Sequence, residues 1–349
     1  MSAFARVLGV AGWQGSGKTT LLERLVPALV AEGLSVIVLK HDAHGLAFDV
    51  AGKDSDRLFR AGAEVVVDAP AERFARSRRA AGEPLAARLR ELQRSCDLVL
   101  VEGGKREAHP KVWLLAPGEE VPPAEVSDVL AVLPWDGDRV AAMGELVRRR
   151  LAEAWAQAPR RAGVLVGGAS SRMGTPKLWL RVDGETLLDR AARALEPVGH
   201  LALLGRDVGA AAEVTLGDPS PFAGALRLPD APGVRGPLAG ILAALRWETV
   251  TWVISSCDLP RLRAEAVEWL LSQRRPGRWA VLPRIGGIVQ PLLAVYEPQA
   301  LPLLEAIAAV GAAGPSRLEG QPHVATPEPP ADLADCWRGA NTPEELVEL

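Results

Sequence analysis

"RVLGVAGWQGSGKTTLLERL", residues 6–25, decides how the first half of this chain folds. RVLGVAG is a short apolar run that reads as a buried strand. GWQGSGKT fits G-x-x-x-x-G-K-[ST] through Gly12, Gly17, Lys18 and Thr19. KTTLLERLVPALVAEG then carries apolar residues at helical spacing. Strand, glycine loop and helix are the context in which this motif binds phosphate. Gly12, Gly15 and Gly17 let backbone N–H groups curl around phosphate oxygens. The helix N-terminus adds partial positive charge. Lys18 is the residue to reach the β- and γ-phosphates, and Thr19 the one to ligate Mg²⁺. Two acids flank the apolar run DLVLVEGGK, Asp97 before it and Glu102 after it. Either is a candidate to assist the metal; a surface acid at a strand end is the competing reading of Glu102.

The chain has 349 residues, which favours two domains over one. A net charge of −3 gives no broad basic field for nucleic acid. Locally basic stretches such as RFARSRR are expected to be solvated helix faces. No apolar run reaches the roughly 18–20 residues that span a bilayer. The N-terminus breaks into glycines too early for a signal peptide. Cys96, Cys257 and Cys336 are odd in number and far apart, so they suggest neither a disulfide framework nor a zinc site. The expected location is the cytoplasm. Of 40 basic residues only six are Lys, so the survivors are candidates for positions where an ammonium is needed and a guanidinium is no substitute. Lys177 is the only one after residue 111.

Apolar runs alternate with helical patterns along the whole chain. RVLGVAG, LSVIVLK, EVVVDA, CDLVLVEG, KVWLLA and VLAVLP read as buried strands, and PLAARLRELQR and DRVAAMGELVRRRLAEAW as helices. The pattern restarts at residue 162, with AGVLVGG, HLALLG and TWVISSCD as strands among three further helical stretches. Strands alternating with helices imply parallel sheets covered on both faces. The expectation is an α/β chain of two doubly wound domains. A P-loop NTPase-like domain over 1–156 is followed by a linker at 157–161 and a Rossmann-like domain over 162–349.

In the first half, GWQGSGKTT, LKHDAHG, GKDSDRLFRAGA and VEGGK together resemble the molybdopterin-guanine dinucleotide biosynthesis adapter family (MobB), over roughly residues 5–155. The resemblance implies a P-loop that binds GTP with weak hydrolysis. His41 and His44, taken alone, read as polar loop residues before metal ligands. The family has VEGFK where this chain has VEGGK, so Gly104 lacks an aromatic contact.

A second glycine loop, VLVGGASSRMGTPKLWL, covers residues 164–180. It is no P-loop, because no G-K-[ST] follows, and no dinucleotide fingerprint, because G-x-G-x-x-G is absent. Gly167 and Gly168 let a nucleotide lie close to the strand end, and Ser170 and Ser171 are donors to phosphate. Arg172 and Lys177 converge on a triphosphate. That suits attack at an α-phosphate with pyrophosphate leaving, where developing charge must be neutralised. TWVISSCDLP supplies Asp258 at a strand end for Mg²⁺, with a helix N-cap as its competing role. LPDAPGVRGPLAG supplies Asp230, otherwise a turn acid.

LVGGASSRMGTPK, GPLAG, SSCDLP, QPLLAVY and NTPEEL occur in the order of the molybdenum cofactor guanylyltransferase family (MobA), which residues 162–349 resemble. The resemblance implies transfer of GMP from GTP to molybdopterin, giving molybdopterin guanine dinucleotide and pyrophosphate. Leu165, Gly167 and Gly168 would line the nucleotide, with Asp230 also touching it. Lys177, helped by Arg172, would hold its phosphates, and Asp258 would bind Mg²⁺. The family's Asn after the second strand is replaced within LLGRD, and the first Asn of its Asn-x-Asn-Thr-Pro is Gly339 here. Asn341, the only Asn of the chain, falls on the second, where capping the helix PEELVEL is its competing role. Partners implied are GTP, molybdopterin, and molybdoenzymes or their chaperones and the molybdenum insertase, with no nucleic acid or membrane; a homodimer stays open. The alternatives are a sugar-1-phosphate nucleotidyltransferase fused to a P-loop kinase, and a GTP-dependent cofactor carrier without catalysis.

Overall fold

In the computed structural model, RVLGVAG forms the central strand β1 (Val7–Gly12) of a five-stranded parallel sheet. The structure describes residues 4–41, 49–78, 83–167, 180–205, 225–312, 314–340 and 345. The sheet's other strands are β2 (Val36–Lys40), β3 (Leu98–Glu102), β4 (Lys111–Leu114) and β5 (Val129–Leu133), in the order β2-β3-β1-β4-β5. The pleat divides β1 between two cores. Leu8 and Val10 face α1 (Lys18–Ala31) and α3 (Arg139–Ala156), packing with Leu25, Leu29, Met143 and Leu151. Val7 points the other way, toward Leu89 of α2 (Leu85–Leu92). Pro27 lies inside α1 but on its exposed side, where the carbonyl it leaves unpaired meets water. Asp138 caps α3 by accepting a hydrogen bond from the Ala141 N–H.

After α3 the chain passes Gln157–Pro159 and enters β6 (Arg160–Leu165), the start of a seven-stranded sheet. Its other strands are β7 (Leu201–Leu204), β8 (Leu226–Leu228), β9 (Thr251–Ser256), β10 (Ala280–Val281), β11 (Leu293–Tyr296) and β12 (Val324–Ala325), in the order β8-β7-β6-β9-β11-β10-β12. Helices α4 (Leu187–Ala194) and α6 (Ala264–Ser272) cover one face, and α5 (Pro237–Trp247) and α7 (Leu301–Ala309) the other. Both halves are doubly wound. Among the described residues no helix is long and apolar enough to cross a membrane.

Three local expectations give way. EVVVDA is not a strand of the parallel sheet: Val65–Asp68 pairs antiparallel with Arg73–Arg76, and Val66 and Val67 are exposed. Only a tight turn closed by Ala69 N–H to the Glu72 carbonyl follows it, far too short for the crossover a parallel neighbour needs. For the same reason RFAR is a hairpin strand and not a helix face. The second sheet is mixed, because β11 runs antiparallel to β9 and β10. A small hairpin, Arg284–Ile285 with Ile288–Val289, precedes β11 in place of a helix, and the chain returns without a crossover.

The two halves meet at the N-terminal edges of their sheets. The Trp279 indole N–H donates to Asp97 Oδ1 at 3.0 Å, and Asp97 Oδ2 accepts the Ser35 N–H at 2.8 Å. The Gln299 amide donates to the Cys96 carbonyl at 3.3 Å, and Arg6 donates to the same carbonyl at 2.8 Å. Gly277 lies so near Gly33 that a Cβ on it would come within 2.7 Å of the Gly33 carbonyl oxygen. Trp279 stacks on His323 with ring centroids 4.2 Å apart. Burial pushes the Cys96 thiol up to about 11, so it sits in this seam uncharged. Phosphate-binding loops leave the C-terminal ends of parallel strands. With the N-terminal ends abutting, the two candidate sites open at opposite ends of the molecule.

Asp97 therefore has no place at a metal near the first loop. Its carboxylate satisfies two donors, the buried Trp279 indole N–H across the seam and the half-buried Ser35 N–H beside it. Asp97→Ala should lower the unfolding free energy by about 2–4 kcal/mol, the cost of leaving both donors unpaired. In a double-mutant cycle with Trp279→Phe, denaturant unfolding should give a coupling of about 1 kcal/mol or more; simple additivity would refute the bond.

Candidate functional site

At the end of β1 the backbone turns sharply against β4. Gly12 has φ 154°, and a Cβ there would lie 2.4 Å from Ser16 Oγ and 2.7 Å from the Leu114 carbonyl oxygen. Only glycine fits that corner. Gly17 then starts α1 from a left-handed conformation, with no side chain capping the helix and no acid in its first turn. Its first N–H groups are left facing outward, as an anion site requires. Ser16 Oγ is buried without a hydrogen-bond partner among the described residues.

The Lys18 ammonium folds back over the loop, donating to the carbonyls of Gly12 at 3.2 Å and Trp13 at 2.7 Å. Burial draws its pKa below the ordinary lysine value, with Glu102 opposing the shift and Lys105 adding to it. An incoming phosphate would replace those carbonyls with a full negative charge. The Thr19 hydroxyl donates to Glu102 Oε1 at 2.6 Å. Of the two candidate acids, Glu102 is the one brought to this loop, since it ends β3 beside β1. These are hard oxygen donors, of the type Mg²⁺ selects.

Five further residues build this edge, and sequence reasoning gave none of them this role. Arg139, the first residue of α3, donates to the carbonyls of Ser16 at 2.8 Å, Pro134 at 2.6 Å and Leu133 at 3.3 Å, and also to that of Leu115. One guanidinium thus ties the phosphate loop to the loops after β4 and β5. Glu119 accepts from the indoles of Trp13 at 2.9 Å and Trp113 at 3.1 Å. Those rings meet edge to face at 5.9 Å, and the Lys105 ammonium lies 3.9 Å over Trp13. No local pattern marks these contacts; a Trp inside the glycine motif was the one available sign.

Behind the loop, His109 is buried with both ring nitrogens unpartnered among the described residues. Burial pushes its pKa down to about 4 from an ordinary 6.5; Lys111 adds to the shift, Asp128 opposes it and His41 adds again. A depressed pKa favours the folded state above pH 6.5, and that contribution disappears as pH falls through 4. The shift corresponds to about 3 kcal/mol. Thermal unfolding followed from pH 7 to 4 should show this loss, and His109→Leu should flatten it; an unchanged profile would contradict the buried neutral ring. His41 contributes its backbone N–H to the Glu102 carbonyl, and His44 lies outside the described residues.

The second site forms where β6, β7 and β9 end. β6 and β9 are adjacent and in register, Leu165 beside Ser256. Leu165 is buried, and Gly167 is exposed just beyond it. Gly205 follows β7 with φ 124°, and a Cβ there would lie 2.4 Å from the Val166 carbonyl oxygen. That close approach brings Asp230 to the same edge, its Oδ1 3.7 Å from the Cβ position. The Ser256 hydroxyl donates to Asp258 Oδ1 at 2.6 Å, fixing the carboxylate's rotamer. Asp258 is no helix cap: α6 begins at Ala264, with Arg263 at its N-cap. Ala340 N–H donates to the Asp258 carbonyl at 3.0 Å, which carries the C-terminal segment across this site. A Cβ on Gly339 would lie 4.0 Å from Asp258 Oδ1, so the Asn expected there by resemblance would start beside this carboxylate. Leu165, Gly167, Asp230 and Asp258 thus share one sheet edge. Gly168, Arg172, Lys177 and Asn341 lie outside the described residues.

Comparison with known proteins matches two separate stretches of the chain. Residues 7–135 match the family model of Molybdopterin guanine dinucleotide synthesis protein B, and residues 162–324 that of the MobA-like NTP transferase domain. The first half is 42% identical over 129 residues to the molybdopterin-guanine dinucleotide biosynthesis adapter protein of Haemophilus influenzae, covering 36% of this chain and 72% of the relative. It is 38% identical over 126 residues to the protein of that name in Escherichia coli, covering 34% and 71%. Elsewhere the chain is 32% identical over 150 residues to the molybdenum cofactor guanylyltransferase of Pseudomonas putida, covering 42% and 75%.

Proposed function

We propose, for a chain that belongs to the molybdopterin-guanine dinucleotide biosynthesis adapter family in its first half and to the molybdenum cofactor guanylyltransferase family in its second, that it transfers GMP from GTP to molybdopterin. The products are molybdopterin guanine dinucleotide and pyrophosphate. The observation that carries this reading is the shared sheet edge of Gly167, Asp230 and the Ser256-fixed carboxylate of Asp258.

The terminal phosphate of molybdopterin attacks the α-phosphorus of GTP; a new P–O bond forms as the bond to the β-phosphate oxygen breaks. The attacking phosphate is already an anion and needs little help from a base. Catalysis is then mainly orientation and charge neutralisation. Leu165, Gly167 and Gly168 line the nucleotide, and Asp230 orients it. Lys177 and Arg172 neutralise the triphosphate as pyrophosphate departs. Asp258 would hold Mg²⁺, which supplies Lewis-acid charge neutralisation when bound. Asn341 would complete the nucleotide site from the C-terminal segment.

In the first half, the Gly12–Thr19 loop holds GTP, with Thr19 and Glu102 the residues for a second Mg²⁺. Wrapped in backbone amides, that nucleotide is held rather than offered to a nucleophile. Molybdoenzymes, their chaperones and the molybdenum insertase are the partner classes suited to such an adapter. The purified chain, incubated with molybdopterin, Mg²⁺ and each NTP in turn, should release pyrophosphate with GTP and only when molybdopterin is present. Turnover only with a sugar 1-phosphate would replace this reading with the other nucleotidyltransferase class.

A further inference from the structure

Trp135 is 48% exposed on the loop joining β5 to α3, at the C-terminal edge of the first sheet. Arg139 holds this loop against the phosphate loop: its guanidinium lies 5.2 Å from the centre of the Trp135 ring and donates to the Ser16 carbonyl at 2.8 Å. The ring is therefore fixed beside the phosphate loop, on its β4–β5 side. The other side of the loop is where Thr19 meets Glu102 at 2.6 Å. A nucleotide with its terminal phosphate and cation toward Glu102 must send its nucleoside the opposite way, over β4 and β5.

Two tryptophans reach this edge with exposed area, and they are not equivalent. Trp13 is closed to a ligand, with the Lys105 ammonium 3.9 Å over its ring, Trp113 against it at 5.9 Å and its N–H bonded to Glu119. Trp135 has Arg139 as its ring contact among the described residues. Beside it stand two carboxylates. Asp138 is engaged in capping α3, whereas Asp136 is exposed and makes no hydrogen bond among the described residues.

We propose that Trp135 is the stacking platform for the purine base of the nucleotide held by the Gly12–Thr19 loop, and that Asp136 selects guanine. Guanine presents N1–H and the 2-amino group side by side, two donors that one carboxylate accepts together. Adenine offers an acceptor at N1, which the same carboxylate repels. The proposal rests on the reading of the first loop as a GTP holder.

Binding of GTP, ATP and inorganic tripolyphosphate to the full chain tests it. The site lost in Lys18→Ala is the loop site, and the second half's site stays as a common background. At the loop site, Trp135→Ala should weaken GTP by roughly tenfold or more, the range of one base–aromatic stack, and leave tripolyphosphate unchanged. Trp135→Phe should retain most GTP affinity, and Asp136→Asn should narrow the preference for GTP over ATP. GTP affinity within twofold of the unsubstituted chain in Trp135→Ala would overturn the proposal, as would equal losses for GTP and tripolyphosphate. If Lys18→Ala removes no site at all, the underlying reading of the loop fails, and this inference with it.

Discussion

Asp258→Asn should cut guanylyl transfer by about a thousandfold or more, the loss expected when several kcal/mol of metal-borne charge neutralisation is withdrawn. The substitution keeps the side chain's shape, and its amide oxygen can still accept from the Ser256 hydroxyl, now 2.6 Å from Asp258 Oδ1. Unfolding should therefore change by less than about 1 kcal/mol, as for a replacement of the same shape that keeps the Ser256 hydroxyl paired. The contrast between a collapsed rate and an intact fold is the test. A matched decline in both would mean that Asp258 serves the turn between β9 and α6 and not the reaction. Lys177→Ala should behave alike, with transfer lost and unfolding unchanged, because the triphosphate loses its only ammonium in this half of the chain.

Lys18→Ala should have the opposite selectivity. GTP binding at the first loop should weaken by roughly a hundredfold, the scale of losing charge-assisted hydrogen bonds to phosphate. Guanylyl transfer should stay within about twofold, in keeping with sites whose perturbations do not couple. The reason is architectural. The seam of Asp97, Trp279, Cys96 and Gln299 joins the N-terminal edges of both sheets, so each site lies a strand's length beyond it on opposite sides. Each of β1 and β9 has six residues and so spans about 20 Å. A nucleotide on one loop cannot touch groups on the other. Complete loss of transfer in Lys18→Ala would require one shared site, which this arrangement forbids.

How far the sequence could be read follows from the range of each interaction. The strand, glycine corner and helix around Gly12 to Thr19 were legible because that geometry is local: the corner at Gly12 has no room for a Cβ, and the helix follows at once. Chain direction alone would have separated Asp97 from Glu102, since ligands gather at the C-terminal ends of parallel strands and Asp97 precedes its strand. Arg139 was invisible, because it acts on three loops that only the sheet brings together. The strand Val65–Asp68 was misplaced because an apolar β-branched run specifies a strand but not its partner. Ser256 was within reach, two residues before Asp258, but its hydroxyl reads like any strand-end serine until the carboxylate is seen to turn back on it.

The central claim is that the two glycine loops do different chemistry, the first holding GTP and the second opening its α-phosphate to attack. GTP labelled at the α- or at the γ-phosphate, given to the chain with molybdopterin and Mg²⁺, tests this most directly. The account predicts that α-label enters the molybdopterin product while γ-label leaves as pyrophosphate, in the Lys18→Ala chain as in the unsubstituted one. Release of γ-label as inorganic phosphate, with α-label left in GDP and none in the pterin, would contradict it.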